Sequence, residues 1–152
     1  MRALLQRVTE ASVRKVENNE LVGTIGPGLL VFFCAMEGDG QSEVELLAHK
    51  ISRMRIFEDD AGKMNLSVID TAGAILAVSQ FTLAADSRRG NRPSFSAAAS
   101  IKTAEILYEA FVSSLRSIGI PVETGQFRSQ MHIASVNDGP VSVWVDTASY
   151  LY

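Results

Sequence analysis

The sequence VNDGPVS at positions 136–142 places a Gly-Pro step between two apolar segments near the end of the chain. Neither Gly139 nor Pro140 carries a polar side chain, so any recognition at this step must use main-chain carbonyl groups. Proline has no N–H, fixes its own φ and restricts the residue before it, which makes such a step rigid. Two interpretations follow. The step is an ordinary turn, or its carbonyls are rigid hydrogen-bond acceptors that contact a ligand and sterically exclude bulky groups.

The segments on both sides of this step, 131–136 and 141–146, predict strands because they alternate or are rich in branched residues. Further strands are predicted at 4–8, 11–16, 21–25, 29–35 and 75–79. The run 29–35 is continuously apolar, which is typical of a central strand covered on both faces.

Two helices separate these strands. Ser42 and Glu45 form an S-x-x-E capping box in front of apolar residues at helical spacing. A second helix is predicted from about Ser100 to Ile118, where Gly119 ends it. The pattern predicts a single α+β domain over residues 1–152, with a mainly antiparallel β-sheet or partial barrel and two main helices.

The composition is that of a globular protein, since 47% of the 152 residues are hydrophobic and 20% are charged. A net charge of −3 argues against a generic nucleic-acid coat protein, and we expect no DNA partner. The lone Cys34 cannot form an internal disulfide, and the sequence shows neither a long apolar run nor a signal-peptide pattern. We therefore expect a cytoplasmic protein without a membrane segment.

The usual catalytic and cofactor motifs are missing. The sequence contains no G-x-S-x-G elbow, no P-loop, no G-x-G-x-x-G motif and no cysteine pair for zinc. His49 and His132 are far apart in sequence and have no triad partners nearby. The acidic run 58–60 is typical of a solvated turn. The sequence therefore predicts no metal and no cofactor.

Polar groups collect where the buried strand 75–79 stops. The segment there is Ser79, Gln80, Phe81 and Thr82. Hydroxyl groups and freed backbone N–H groups at such a point can hold a carbonyl oxyanion. Ser and Thr at a strand end are also ordinary turn formers, so this segment alone leaves both interpretations open.

A basic loop follows this segment. It contains Arg88, Arg89 and Arg92 next to Gly90 and Pro93. Arginine accounts for ten of the 14 basic residues, a bias that suits bidentate phosphate contacts. The sequence of this loop is compatible with either a phosphate-binding site or a solvated turn.

Several strings together, in this order and at this spacing, resemble the D-aminoacyl-tRNA deacylases. They are QRV at 6–8, ASV at 11–13, GKMNLSV at 62–68, VSQFTL at 78–83, RPSFS at 92–96, LYE at 107–109 and NDGPV at 137–141. The resemblance spans essentially the whole chain. It implies the fold of these deacylases, which agrees with the α+β prediction.

The resemblance also implies a function. It indicates a homodimeric editing enzyme that hydrolyses the ester between a D-amino acid, or glycine, and the tRNA 3′ end. The segment Ser79–Thr82 would line the pocket, with Phe95 and Met131 contributing to substrate binding. Gly139–Pro140 would be cis and would enter the partner's active site, where its carbonyls meet the α-amino group and exclude an L side chain. Arg7 would help to hold this dipeptide, and the basic loop would contact tRNA.

The sequence departs from the family pattern at two places. Residues 127–131 read FRSQM where the family usually has FGADM, and Ser142 stands where Thr is usual. Arg128 and Gln130 change the charge near the expected pocket, which affects the range of accepted side chains rather than the reaction class.

The absence of a catalytic base suggests how the reaction would proceed. An aminoacyl ester is already activated by its α-ammonium group and the neighbouring ribose hydroxyl, and the resemblance implies that the 2′-hydroxyl orients the attacking water. Two alternatives remain open on the sequence. One is a non-hydrolytic RNA- or ligand-binding module, and the other is an esterase with Thr82 or Ser79 as nucleophile.

Overall fold

A computed structural model describes residues 1–150 of the chain. The strands among these residues are β1 (Arg2–Lys15), β2 (Leu21–Ile25), β3 (Gly28–Cys34), β4 (Phe57–Glu58), β5 (Met64–Leu66), β6 (Ala74–Ser79), β7 (Val122–Thr124) and β8 (Met131–Asp146). The helices are α1 (Gln41–Arg53), α2 (Ile101–Ser117) and two short 3-10 helices, Phe81–Ala84 and Thr147–Ser149.

The long strand β1 organises the main sheet. It pairs antiparallel with β3 along Arg2–Val8, with β2 along Ala11–Arg14, and with β8 along nearly its whole length. β6 pairs parallel with β3, and β7 pairs parallel with β6. Parallel neighbours need long crossover connections, which α1 and α2 provide. The predicted α+β fold with two main helices is confirmed, and the sheet is mixed rather than purely antiparallel.

The sheet curls into a partial barrel because β2 approaches β7. The closest point is Gly23, where a Cβ atom would lie 2.7 Å from the carbonyl oxygen of Thr124 and 3.2 Å from a methyl group of Leu76. Only a glycine allows two backbones to come this close. The inside of the barrel is filled by a small apolar core that consists of Val8, Ala11, Val13, Ile25, Leu30, Leu76 and Val78.

The larger core lies between the sheet and the two helices. The ring of Phe33 in β3 stacks on Phe111 with 5.0 Å between centroids and tilts against Tyr108 at 5.8 Å. The Tyr108 hydroxyl donates a 2.7 Å hydrogen bond to the carbonyl of Ala77, and burial raises the pKa of this phenol well above its usual range. This bond fixes α2 to β6 close to where β6 ends.

The helix ends agree in part with the sequence. Ser100 caps α2, and its hydroxyl accepts a hydrogen bond from the Thr103 amide. The prediction that Ser42 caps α1 is wrong, because the cap lies two residues earlier, at Gly40. There the carboxylate of Glu43 accepts a 2.8 Å hydrogen bond from the Gly40 amide. No helix within residues 1–150 is long and apolar enough to cross a membrane.

Candidate active site

The segment Ser79–Thr82 lies at the C-terminal end of β6. The Gln80 amide donates a 2.7 Å hydrogen bond to the Phe33 carbonyl, after which the chain turns into the 3-10 helix Phe81–Ala84. Within residues 1–150 the amides of Phe81 and Thr82 have no hydrogen-bond acceptor. The first N–H groups of a helical turn are left free in this way. They are donors that could stabilise an oxyanion.

Two aromatic side chains form an open wall beside these amides. The side chain of Phe81 is 57% exposed, and its ring meets Phe95 edge to face with 5.2 Å between centroids. Phe95 reaches this position because the chain returns to the end of β6 after the basic loop. Two large apolar side chains at a strand end rich in polar groups are typical of a binding surface.

Met131 lies on the barrel side of the same end of β6. Its sulfur accepts a 3.2 Å hydrogen bond from the Gln126 backbone amide. The same sulfur lies 3.0 Å from the position that a Cβ atom on Gly125 would occupy. The Gly125 amide in turn donates to the Ala77 carbonyl at 3.1 Å. Met131 is therefore half-buried beneath the loop that follows β7, next to the start of the Ser79–Thr82 segment.

The hydroxyl groups of Ser79 and Thr82 lack a base. Thr82 accepts a hydrogen bond from the amide of the Gln80 side chain, and in residues 1–150 neither hydroxyl bonds to a histidine, lysine or carboxylate. His49 is exposed on α1 and His132 is exposed on β8. The described part of the chain also holds no cluster of three metal-binding side chains. Nothing in this arrangement activates a side-chain nucleophile.

The Gly139–Pro140 step forms a loop that protrudes from the pairing of β1 with β8. From Gln6 to Val8 the register advances two positions along β1, whereas β8 advances five, from Ser142 back to Asn137. The extra residues carry the dipeptide away from the sheet, and its peptide bond is cis, as the resemblance implied. Both residues are exposed.

Asn137 and Arg7 hold the base of this loop. The side-chain amide of Asn137 donates to the carbonyls of Arg7, at 2.8 Å, and Val141, at 3.0 Å. Arg7 is only 5% exposed, and its guanidinium donates to the carbonyls of Asp138, at 3.1 Å, and Ile56, at 2.7 Å. Arg7 therefore contacts the residue that precedes the dipeptide. Asn137 received no role from the sequence, although an Asn beside a Gly-Pro turn often bonds nearby backbone.

Within one chain the two candidate groups lie at opposite ends of the sheet. Gly139 lines a pocket of about 520 Å³ together with Pro27 and Gly73, which precede β3 and β6. Ser79 ends β6, five residues after Ala74. At about 3.3 Å per residue, β6 separates the two groups by about 17 Å. The structure therefore brings Ser79–Thr82, Phe95 and Met131 together, and it places Gly139–Pro140 with Arg7 elsewhere.

The predicted basic loop directly follows the 3-10 helix of the site. Backbone hydrogen bonds between Asp86 and Ser94 close it. Arg88 forms a bidentate pair with the Asp86 carboxylate at 2.8 and 2.6 Å, and this pair lowers the pKa of Asp86. Arg89 and Arg92 are exposed and form no hydrogen bond or ion pair within residues 1–150. The loop encloses a pocket of about 440 Å³.

Comparison with known proteins shows which family this chain resembles. The model of the family "D-Tyr-tRNA(Tyr) deacylase" matches residues 4–146. A D-aminoacyl-tRNA deacylase from Ruegeria sp. (strain TM1040) is 56% identical over 147 residues, which cover 97% of this chain and 93% of the relative.

Two solved structures have a fold similar to that of this chain. The c-Myc DNA Unwinding Element Binding Protein superposes with a TM-score of 0.91 at 38% identity, covering 96% of this chain and 98% of the other. A probable eukaryotic D-amino acid tRNA deacylase shares the fold, with a TM-score of 0.81 at 16% identity over 95% of this chain and 97% of the other. The chain belongs to the D-Tyr-tRNA(Tyr) deacylase family.

Proposed function

We propose that this protein hydrolyses the ester of D-aminoacyl-tRNA, and of glycyl-tRNA, to free tRNA and amino acid in the cytoplasm. The observation that carries the proposal is the open end of β6 in a member of this family. There, free amides and an aromatic wall stand together without a side-chain nucleophile or base.

The chemistry fits a substrate that supplies part of its own activation. The amides of Phe81 and Thr82 are positioned to stabilise the oxyanion that forms when water attacks the ester carbonyl. The substrate's 2′-hydroxyl would orient that water. In another hydrolase, a single donor of this kind lowers the activation barrier by about 2.7–4 kcal/mol, so fixed amides alone can give a large acceleration.

We further propose that the active unit is a homodimer. The 17 Å estimated along β6 keeps Gly139–Pro140 away from Ser79–Thr82 of the same chain, whereas the loop protrudes and is exposed. In a symmetric dimer each chain could insert this loop into its partner's site. The carbonyls of the loop would accept hydrogen bonds from the substrate's α-ammonium group and leave no room for an L side chain.

The first prediction concerns chirality. The protein should release amino acid from D-Tyr-tRNA and from Gly-tRNA, and leave L-Tyr-tRNA intact, because the proposed filter excludes bulk only on the L side. The measurement is loss of labelled ester over time for the three substrates at equal concentration. Equal rates on the two tyrosyl enantiomers would refute the filter. Binding without ester loss would favour the alternative of a non-hydrolytic RNA- or ligand-binding module.

The second prediction concerns the hydroxyl groups. Ser79→Ala and Thr82→Ala should each retain part of the activity, since neither hydroxyl has a base in residues 1–150 and the backbone donors remain. The check is kcat for each variant beside the parent protein. Capture of a covalent aminoacyl-enzyme at either residue would support the esterase alternative instead.

The third prediction concerns the basic loop, which we propose contacts tRNA phosphates through Arg88, Arg89 and Arg92. Replacing Arg89 and Arg92 together by alanine should weaken tRNA binding and flatten its dependence on salt. The log–log slope should fall by about 0.7 per contact on a single strand. Arg88→Ala should change the slope less, because Asp86 already neutralises this side chain. An unchanged slope in the double variant would mean that the loop is only a solvated turn.

The absence of a DNA partner stays a prediction. A binding assay with duplex DNA of arbitrary sequence at the salt concentration used for tRNA would test it directly. We expect weaker binding to DNA than to tRNA, because the acidic chain offers only a local basic loop rather than a broad basic face.

A further inference from the structure

Arg128 occupies an unusual backbone conformation. Its φ is +59°, in the left-handed region that residues with long side chains rarely adopt. The residue lies in a tight turn, in which the Ser129 amide donates a 3.2 Å hydrogen bond to the Gln126 carbonyl. Its side chain is exposed, and within residues 1–150 its guanidinium forms no hydrogen bond or ion pair. The fold therefore presents an unneutralised cation at a position where glycine would fit without strain.

This turn is fixed to the candidate active site. The Gly125 amide and the Tyr108 hydroxyl both donate to the carbonyl of Ala77, at 3.1 and 2.7 Å. The ring of Phe127 stacks on Tyr108 with 6.1 Å between centroids. Ala77 lies two residues before Ser79, so these contacts hold the turn beside the end of β6. Arg128 follows Phe127 in this turn, and its side chain is exposed.

Three exposed arginines lie on two loops that follow neighbouring elements of the sheet. Arg89 and Arg92 lie on the loop that follows the 3-10 helix, and Arg128 lies on the loop that follows β7. All three guanidinium groups are exposed and unpaired within the described residues, although the chain as a whole carries a net charge of −3. Guanidinium groups bind phosphate through paired N–H donors, and they remain charged at any physiological pH.

We propose that Arg128 binds a backbone phosphate in the last nucleotides of the tRNA 3′ strand and thereby sets the affinity for charged tRNA. This inference rests on the proposed function. Arg128 contacts the nucleic acid rather than the reacting ester, so it should act on KM and leave the rate of the bound ester unchanged.

Two substrates separate this role from a structural one. The first is D-Tyr-tRNA, and the second is the D-tyrosyl ester of adenosine, which has the same reacting group and no phosphate. Arg128→Gln should lower kcat/KM about 10-fold on the tRNA, through KM, and leave it unchanged on the adenosine ester. Arg128→Lys should recover part of the loss. Arg53→Gln is the matched control, because Arg53 is also exposed and unpaired within residues 1–150 and ends α1, away from this loop.

Binding of uncharged tRNA gives an independent readout. Arg128→Gln should reduce the log–log salt slope by about 0.7, and Arg53→Gln should not. Arg128→Gly, which removes the side chain and suits the left-handed conformation, should unfold at the parent's temperature and show the same loss on tRNA. Equal losses on both substrates, or an unchanged salt slope, would overturn the inference. If the parent protein hydrolyses neither substrate, the proposed function fails, and the salt slope alone decides the role of Arg128.

Discussion

Replacement of Gly139 by alanine is expected to remove nearly all hydrolysis of D-aminoacyl-tRNA. The φ of Gly139 is +129°, a conformation that alanine strongly disfavours. An added Cβ would lie 2.7 Å from a methyl group of Val141, 2.9 Å from the Val141 amide nitrogen and 3.2 Å from the Arg7 guanidinium. Val141 and Arg7 are buried, so the loop itself must move. A displacement of about 1 Å in such a contact is expected to lower kcat/KM about 100-fold.

Gly62→Ala is the matched control for this prediction. Gly62 also has a positive φ, +72°, but a Cβ there would meet no atom within 4 Å. Both variants introduce a disfavoured conformation, and only Gly139→Ala displaces the proposed filter. Thermal unfolding of both variants shows how much stability each loses. If Gly139→Ala were folded and as active as Gly62→Ala, the loop would have no part in the reaction.

A mixed dimer is expected to regain one of its two sites when its chains carry different inactivating changes. One chain carries Gly139→Ala, and the other carries Thr82→Pro, which removes a proposed oxyanion donor and forces Phe81 out of its helical conformation. Each variant alone should form an inactive homodimer. In the mixed dimer the intact pocket of the first chain can receive the intact loop of the second. The activity should therefore be about half that of the parent dimer.

Two affinity tags purified in sequence isolate the mixed dimer, and both homodimers purified in the same way are the controls. An inactive mixed dimer beside an active parent would show that the loop acts within its own chain or only shapes the fold. A protein that stays monomeric in sedimentation would contradict the dimer directly. The separation along β6 would then need another explanation.

Local sequence patterns predict most of the helices and strands, but not which segments form one continuous strand or where a helix begins. The apolar pattern predicts two strands, at 4–8 and 11–16, with Thr9 and Glu10 between them. In the structure a single strand, β1, runs through Thr9 and Glu10 from Arg2 to Lys15. The interruption is tolerated because β8 pairs with both halves. β7 was missed, since its three residues carry too little pattern, and it is defined by pairing with β6. The predicted start of α1 was wrong because Glu43 can bond the Gly40 amide without any cap side chain.

For the candidate site, too, the sequence indicates the residues but not their arrangement in space. The sequence identified Ser79–Thr82 by their place at a strand end, and the resemblance added Gly139–Pro140 and Arg7. The distance between these groups depends on which strands lie side by side, and local spacing contains no information on that. The conformation of Arg128 is not indicated by the arginine itself, and the only signal for it is the glycine that the family usually has at this position. Only the folded chain shows that Arg128 is exposed, left-handed and unpaired among residues 1–150.

The pairing of β1 with β8 has a consequence for synthesis of the protein on the ribosome. Arg2 pairs with Asp146, so the pairing of β1 stays incomplete until β8, more than 100 residues later in the chain, has left the ribosome. Contacts between such distant parts of a chain form slowly, and an unpaired strand is open to association with other chains. The bonds from Arg7 and Asn137 that support the Gly139–Pro140 loop join the same two strands. The nascent chain therefore acquires the supports of this loop only after β8 has been synthesised.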